Sequence, residues 1–288
     1  MGHYSIKELE QLSGIKAHTI RIWEKRHHLI EPQRTKTNIR YYSDDDLKKI
    51  INVSLLNTHG IKISRIVGMT LDEISNKIIE LSQTHTETSI HIDQLIVAMV
   101  DLDEEKFEKT LSGLTLRFGF ERTVTEIIYP FLEKIGVLWQ TGNISPAQEH
   151  FISNLIRQKI IVAIDALPIA SGAAKKALLY LPENEQHEIA LLFYHYLAKK
   201  SGLKTYYLGQ TVPHLDLRSV YNTHHPEIII TSLTAATPSG NTADYLQRLS
   251  VEFPKAKILV SGYQVQAVES SYPNIHLFRH ALDLKTLL

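Results

Sequence analysis

Two glutamate–histidine pairs carry the residue types that could do chemistry in this chain. Glu149 and His150 are adjacent and follow Trp139 after nine intervening residues in "WQTGNISPAQEHF". Glu185 and His187 are separated by a single residue in "LLYLPENEQHEIALL". Histidine switches readily between proton donor, proton acceptor and metal ligand near neutral pH. A carboxylate beside it can accept a hydrogen bond from one ring nitrogen and orient the other toward a metal. Acid–base or metal-centred chemistry is what such pairs could support.

The elements around the pairs place them differently. Ser145, Pro146 and Gln148 read as an N-cap, a proline at the first helical position and a capping-box partner. Glu149 and His150 then fall in the first turns of a helix, where side chains can look out of the end of a bundle. The helix dipole also favours Glu149 there. The plainer reading is that Glu149 caps, His150 is half-buried and Trp139 fills the core. His187 sits where the strand-like run "KALLYLP" passes through a loop into a helix. Open parallel sheets bind ligands at that edge. There His187 can present a ring nitrogen to a metal, with Glu185 as the acceptor behind it. The plainer reading is a polar surface residue. His195 lies eight residues further on, too far for the four-residue spacing of a helical zinc pair.

The 288 residues exceed one ordinary core and suffice for two or three domains. Lys+Arg and Asp+Glu are equal at 31 each, so net charge points to no partner. The distribution does: between Lys16 and Arg40 seven basic residues (Lys16, Arg21, Lys25, Arg26, Arg34, Lys36, Arg40) face two acids, Glu24 and Glu31. The absence of cysteine excludes disulfides, zinc fingers, iron–sulfur clusters and thiol catalysis. No apolar run approaches a membrane span, and "MGHYSIKELE" is no signal peptide, so the expected setting is the cytoplasm, without a membrane partner.

Texture divides the chain into residues 1–80, short helices with basic loops; 81–92, a polar linker; 93–172, four helices with sustained periodicity; and 173–288, strands alternating with helices. The expected fold class is multidomain α and α/β: a winged helix-turn-helix, a four-helix bundle and a Rossmann-like parallel sheet.

In the first segment Ser5 and Glu8 make a capping box, so a helix starts near Ile6. "SGI" supplies a turn, and a second helix runs from about Ala17 to Lys25, a helix-turn-helix pattern. His18, Thr19 and Arg21 then lie where a recognition helix meets base edges and phosphates, with Arg26 on the same basic helix. Pro32 ends the helical run. Arg34, Lys36, Arg40, Tyr41 and Tyr42 form an extended hairpin suited to phosphate contacts. "TIRIWEKR", "LIEPQRT" and "IRYYSDDDL" together resemble the MerR family of winged-helix regulators over residues 4–66. The resemblance implies that Thr19, Arg21, Trp23, Arg34, Arg40 and Tyr41 face double-stranded operator DNA or pack the wing. His28 and Asn38 stand where glycine is usual, and Asn tolerates the positive φ that a wing turn needs.

The last segment resembles the cobalamin-binding fold shared by methionine synthase and the mutases. That signature is Asp/Glu-x-His-x-x-Gly, then Ser-x-Leu, then Gly-Gly. Glu185-x-His187 matches its start, Thr234 stands in the Ser place, and Ser261-Gly262 stand for the glycine pair. The resemblance implies that His187 is the lower ligand of cobalt and that the Thr234 hydroxyl meets the displaced nucleotide base. Ala190 and Ser261 replace glycines, which are used where backbone approaches a ligand closely, so each adds a side chain beside the nucleotide tail.

The spacing of Trp139, Glu149 and His150 resembles the signature of CarH/LitR-type photoreceptors, MerR regulators that carry adenosylcobalamin. It implies that the bundle covers the upper face of the corrin, with Trp139 near the adenosyl group. His150 could then replace the adenosyl ligand after light cleaves the cobalt–carbon bond. The expected function is a DNA-binding repressor, not an enzyme, whose assembly from dimer to tetramer depends on adenosylcobalamin and light. Joining several weak DNA heads raises avidity by about 10²–10⁴. A second reading is a cobalamin-independent regulator whose C-terminal parts serve oligomerisation or the docking of an antagonist protein. A third, a cobalamin methyltransferase module, gives a DNA-reading head no role.

Overall fold

Side-chain capping starts the N-terminal helices where the sequence expects them. Glu8 N–H donates to Ser5 Oγ at 3.4 Å and Ser5 N–H to Glu8 Oε2 at 2.5 Å, opening α1 (Ile6–Ser13). The computed structural model describes residues 4–35, 37–84, 88–140, 145–234, 241–266, 268 and 272–288, without the side chains of 71, 79, 82–84 and 137–140. The chain divides into two compact units, Met1–Asn154 and Leu155–Leu288. The boundary falls inside a helix, earlier than the change of texture at residue 172.

In the first unit α1 ends at Gly14, whose φ of 72° lets its N–H reach the Glu10 carbonyl. α2 (Ala17–His27) has no cap from the preceding Lys16. Instead Glu10 Oε2 reaches over from α1 and accepts from Ala17 N–H at 3.0 Å. β1 (Gln33–Arg34) and β2 (Arg40–Tyr41) pair antiparallel as the wing. Asn38 turns between them at φ 64°. Ser43 and Asp46 form a second capping box at α3 (Asp44–Thr58), followed by α4 (Ile63–Ile66) and α5 (Leu71–Thr84).

The helical bundle begins with α6 (Thr88–Asp101) and α7 (Glu104–Phe118). Next come α8 (Phe120–Thr123), a π-helical turn Val124–Ile128 and α9 (Tyr129–Gln140), then α10 (Pro146–Asp165). Phe107, Leu111, Val124, Phe131 and Ile152 are among its buried side chains. Lys48 Nζ of α3 donates to Asp101 Oδ1 at the end of α6 at 2.6 Å, joining head and bundle within the unit. Of the expected linker at 81–92, residues 81–84 continue α5 and residues 88–92 open α6, while 85–87 lie outside the described residues. The polar threonines and serines hid a helix that is buried on nearly all sides, with Ile90, His91, Ile92 and Asp93 among its buried residues. Its packing outweighs the weak local propensity.

The second unit is built on β3 (Lys176–Pro182), β4 (Lys204–Val212), β5 (Ile228–Ser232), β6 (Lys257–Ser261) and β7 (Ile275–Leu277). All are parallel, in the order β4-β3-β5-β6-β7. Their near-continuous apolar runs fit a sheet covered on both faces. α11 (Glu188–Lys200), α12 (His214–His224) and α13 (Thr242–Glu252) connect the first four strands, and α14 (Leu284–Leu287) follows β7. The strand order reverses between β3 and β5. In a doubly wound sheet the crevice beyond the carboxyl ends of two such strands is where ligands bind. No helix among the described residues is long and apolar enough to cross a membrane.

Candidate functional site

The head presents α2 and the wing. α2 exposes His18, Arg21, Ile22, Lys25 and Arg26, while Thr19 is half-buried with its hydroxyl 3.3 Å from His18 Nε2. Trp23 is only 6% exposed. It lies three residues from buried Ile20, on the same helical face, and belongs to the core of the head rather than to a DNA contact. Tyr42 is likewise a core residue: it is fully buried, exchanges main-chain hydrogen bonds with Tyr4, and its OH donates to Glu24 Oε2 at 3.2 Å. Tyr41 is half-buried and its OH donates to Gln33 Oε1 across the wing at 2.6 Å. Arg34 Nη1 donates to Asn38 Oδ1 at 2.7 Å and so braces the wing turn. Arg40 is exposed, with Nε 3.7 Å from Glu24 Oε1. Lys36 lies outside the described residues. The outward cations are therefore Arg21, Lys25 and Arg26 on the helix and Arg34 and Arg40 on the wing. Lys25 counted in the sequence only toward charge.

His28 closes α2 at φ 47°, its N–H bonded to the Glu24 carbonyl. This is the left-handed conformation that explains glycine at such a position.

At the start of α10, Gln148 N–H donates to Ser145 Oγ at 3.2 Å and Ser145 N–H to Gln148 Oε1 at 3.1 Å. Gln148 Nε2 also donates to the Val100 carbonyl at 3.3 Å, tying this turn to the end of α6. Glu149 Oε2 lies 2.8 Å from His150 Nδ1, with the histidine side chain 70% and the glutamate side chain 34% exposed. Trp139 is in the last turn of α9, and its side chain lies outside the described part.

The second pair sits at the sheet's switch point. Glu185 is 3% exposed. Its Oε1 accepts from His187 N–H at 3.0 Å and lies 2.5 Å from His187 Nδ1, and its Oε2 accepts from Thr234 N–H at 2.7 Å. Hydrogen bonds make burial of a carboxylate tolerable. The acceptor at Nδ1 favours the tautomer with its proton there, which leaves Nε2 as the electron-pair donor. The His187 side chain is 63% exposed. A buried, doubly anchored acid thus holds an exposed imidazole, as a metal ligand requires. Thr234 contributes its main-chain N–H to this chain of bonds, and its carbonyl accepts from Gln264 Nε2 at 3.4 Å.

Ser261 is buried, and its Oγ donates to Tyr194 OH at 3.0 Å. Gly262 has φ 109°, and a Cβ there would lie 2.3 Å from the Leu233 carbonyl oxygen. Ala190 is half-buried in the first turn of α11.

One carboxylate escaped sequence reasoning. Glu188, next to His187, accepts from Tyr207 OH at 2.8 Å and pairs with Arg157 Nη2 at 3.1 Å. Burial first, then Glu188, pushes the Tyr207 phenol far up. Its partners come from a strand and a preceding helix, so no local motif announces it. His195 stacks on Tyr207 at 4.8 Å and its Nε2 lies 2.9 Å from Thr205 Oγ1, a packed rather than metal-facing position. Burial, with a smaller effect of Lys199, lowers its pKa to about 4.

Residues 4–76 match the family described as MerR HTH family regulatory protein, and residues 91–163, the helical bundle, match the B12 binding domain. The chain is 25% identical over 260 residues to the HTH-type transcriptional repressor CarH of Myxococcus xanthus, covering 88% of this chain and 86% of that protein. The chain thus carries a MerR-type helix-turn-helix match followed by a B12-binding-domain match, and over most of its length it is similar to CarH. The regulator is also 24% identical over 262 residues to the transcriptional repressor CarA of the same organism, covering 89% of this chain and 85% of that protein. In fold it resembles the Methanosarcina barkeri monomethylamine corrinoid protein, with a TM-score of 0.54 at 15% identity over 70% of this chain and 98% of that chain. The named relatives of this DNA-binding regulator are regulators and not enzymes, and none of its polar clusters is assigned a catalytic role.

The donor set suits a corrinoid on its cobalt side. His187 presents Nε2 on an exposed ring whose other nitrogen is held by Glu185.

Proposed function

We propose that this chain is a repressor that binds operator DNA through α2 and the wing. Its assembly into dimers or tetramers depends on adenosylcobalamin and on light. The observation that carries the reading is the His187–Glu185–Thr234 hydrogen-bond chain at the switch point of a sheet, in a protein that also has a MerR head. Adenosylcobalamin, when bound, would supply a cobalt–carbon bond that light can break. His187 would hold the cobalt from below through Nε2, and Glu185 would keep the proton at Nδ1. Trp139, Glu149 and His150 are assigned to the upper side of the same cofactor, as the resemblance to CarH/LitR-type photoreceptors implies. Arg21, Lys25, Arg26, Arg34 and Arg40 would neutralise phosphates, a salt-dependent contribution that repeats with every added head.

The test is gel filtration with absorption detection in the dark and after illumination, followed by operator-fragment binding. The expected result is a coloured, larger species in the dark that dissociates and releases DNA in the light. A second reading keeps DNA binding and drops the ligand, the C-terminal parts serving oligomerisation or an antagonist protein. Ala190 and Ser261, which stand where the resemblance has glycines, favour it. A colourless protein whose size and DNA affinity ignore both cofactor and light would establish that second reading.

A further inference from the structure

A groove of about 1130 Å³ runs along α7 inside the first unit, lined from α3 and α5 on the head side and from α6 and α7 on the bundle side. That is room for a small organic molecule. Ile78, Val97 and Leu114 make a buried apolar floor. His91 also lines the groove and is only 6% exposed, yet its Nε2 has no hydrogen-bond partner among the described residues. A buried nitrogen left unpaired is costly, and a polar group lying in the groove would relieve it. Burial lowers the pKa of this imidazole, so at neutral pH the ring offers one donor and one acceptor, and a hydroxyl can meet either. On α7, Lys106, Lys109, Gly113 and Arg117 line the groove and fall on one helical face. Lys106 and Lys109 are exposed, and neither has an ion-pair partner among the described residues. Glycine weakens a helix interior, but at Gly113 it keeps this face open: a Cβ there would meet nothing within 4 Å. The acids of the lining, Asp103 and Glu105, are confined to the N-terminal end of α7, where Asp103 Oδ1 accepts from Lys106 N–H at 2.9 Å.

We propose that this groove is a second ligand site, which takes a small amphipathic organic acid: an apolar body on Ile78, Val97 and Leu114, a carboxylate against Lys106, Lys109 and Arg117, and a hydroxyl at His91. The site shares no residue with either glutamate–histidine pair. It lies in the unit that carries the DNA-reading helix, and its two sides belong to the head and the bundle, so an occupant holds the two together.

The test is a fluorescence titration of the full chain with 3-hydroxy-2-naphthoate, a hydroxy acid with an aromatic body, and with 2-naphthol, which lacks the acid. The acid should saturate a single site and bind at least about tenfold tighter than the naphthol. Gly113→Leu, which fills the groove from an open helical position, should weaken the acid by about tenfold or more, and so should His91→Phe, which keeps a ring and removes both nitrogens. Lys106→Glu combined with Lys109→Glu should do the same at low salt, from exposed positions that leave the fold intact, as circular dichroism checks. Absence of saturable binding, a preference for the acid below about tenfold, or a loss below about tenfold in any variant that is folded overturns the proposal. Each of these outcomes leaves the corrinoid reading standing, because the two sites have no residue in common.

Discussion

Glu149–His150 and Glu185–His187 present the same contact, a carboxylate oxygen on Nδ1, at 2.8 and 2.5 Å. Their settings differ. Glu149 is half-exposed on a helix, whereas Glu185 is buried and also holds the main chain of Thr234 on a neighbouring strand's loop. An acid fixed from two sides fixes its imidazole, while an acid in solvent lets it move and screens the pair. On the proposed reading, the pair in the sheet would hold its ligand in a fixed geometry, whereas the histidine of the bundle pair would be free to engage or disengage.

The largest expected effect separates the two histidines. His187→Ala should weaken corrinoid uptake by at least about 100-fold in an absorption titration, and His150→Ala by less than about threefold in the dark. Equal losses would erase the distinction. The glutamates come next. Glu185→Gln should cost about 10- to 100-fold in affinity, because an amide cannot accept at both its ends and holds the Nδ1 proton less well. Glu149→Gln should change dark affinity little, and a matching loss there would show the bundle pair to be equally preorganised.

Acid probes the second unit apart from the pairs. Burial holds folded His195 at about 4, against about 6.5 for the free imidazole. Between those values the unfolded chain binds a proton that the folded chain refuses. The stability from this site is therefore intact above about pH 6.5 and declines as pH falls toward about 4. Thermal unfolding should show a lower Tm in mild acid, and His195→Gln should flatten that decline. The smallest effect is expected from Ser145→Ala, which removes the cap that seats Glu149 and His150. It should cost about 1 kcal/mol and lower the Tm by about 2–4 °C without abolishing corrinoid uptake.

Much of this was legible locally. The capping boxes at Ser5 and Ser145 depend on side chains three residues apart, and each was found where its spacing placed it. The five apolar runs became five parallel strands for a similar reason, since β-branched runs bounded by turns leave few alternatives. Residues 81–84 and 88–92, read as linker, are helical, because their few apolar side chains show no helical period in the sequence. Trp23, read as facing DNA or packing the wing, and Tyr42, placed among the phosphate contacts, are buried, because residue type and motif give no sign of which face of an aromatic meets the core. Glu10 capping α2, and Glu188 joining Arg157 to Tyr207, are contacts between elements, which no local spacing predicts.

The sequence by itself determined the order of the parts, the helix starts and the two histidines with an acid beside each, because these depend on neighbours along the chain. Only the tertiary structure decided that Glu185 is buried and bonded to a second loop while Glu149 stays half in water. It alone decided that Gly262 lies against the Leu233 backbone and that Ser261 Oγ reaches Tyr194. Both follow from which strands lie side by side, and strand order in a parallel sheet is settled by the packing of the whole domain rather than by any short stretch of it.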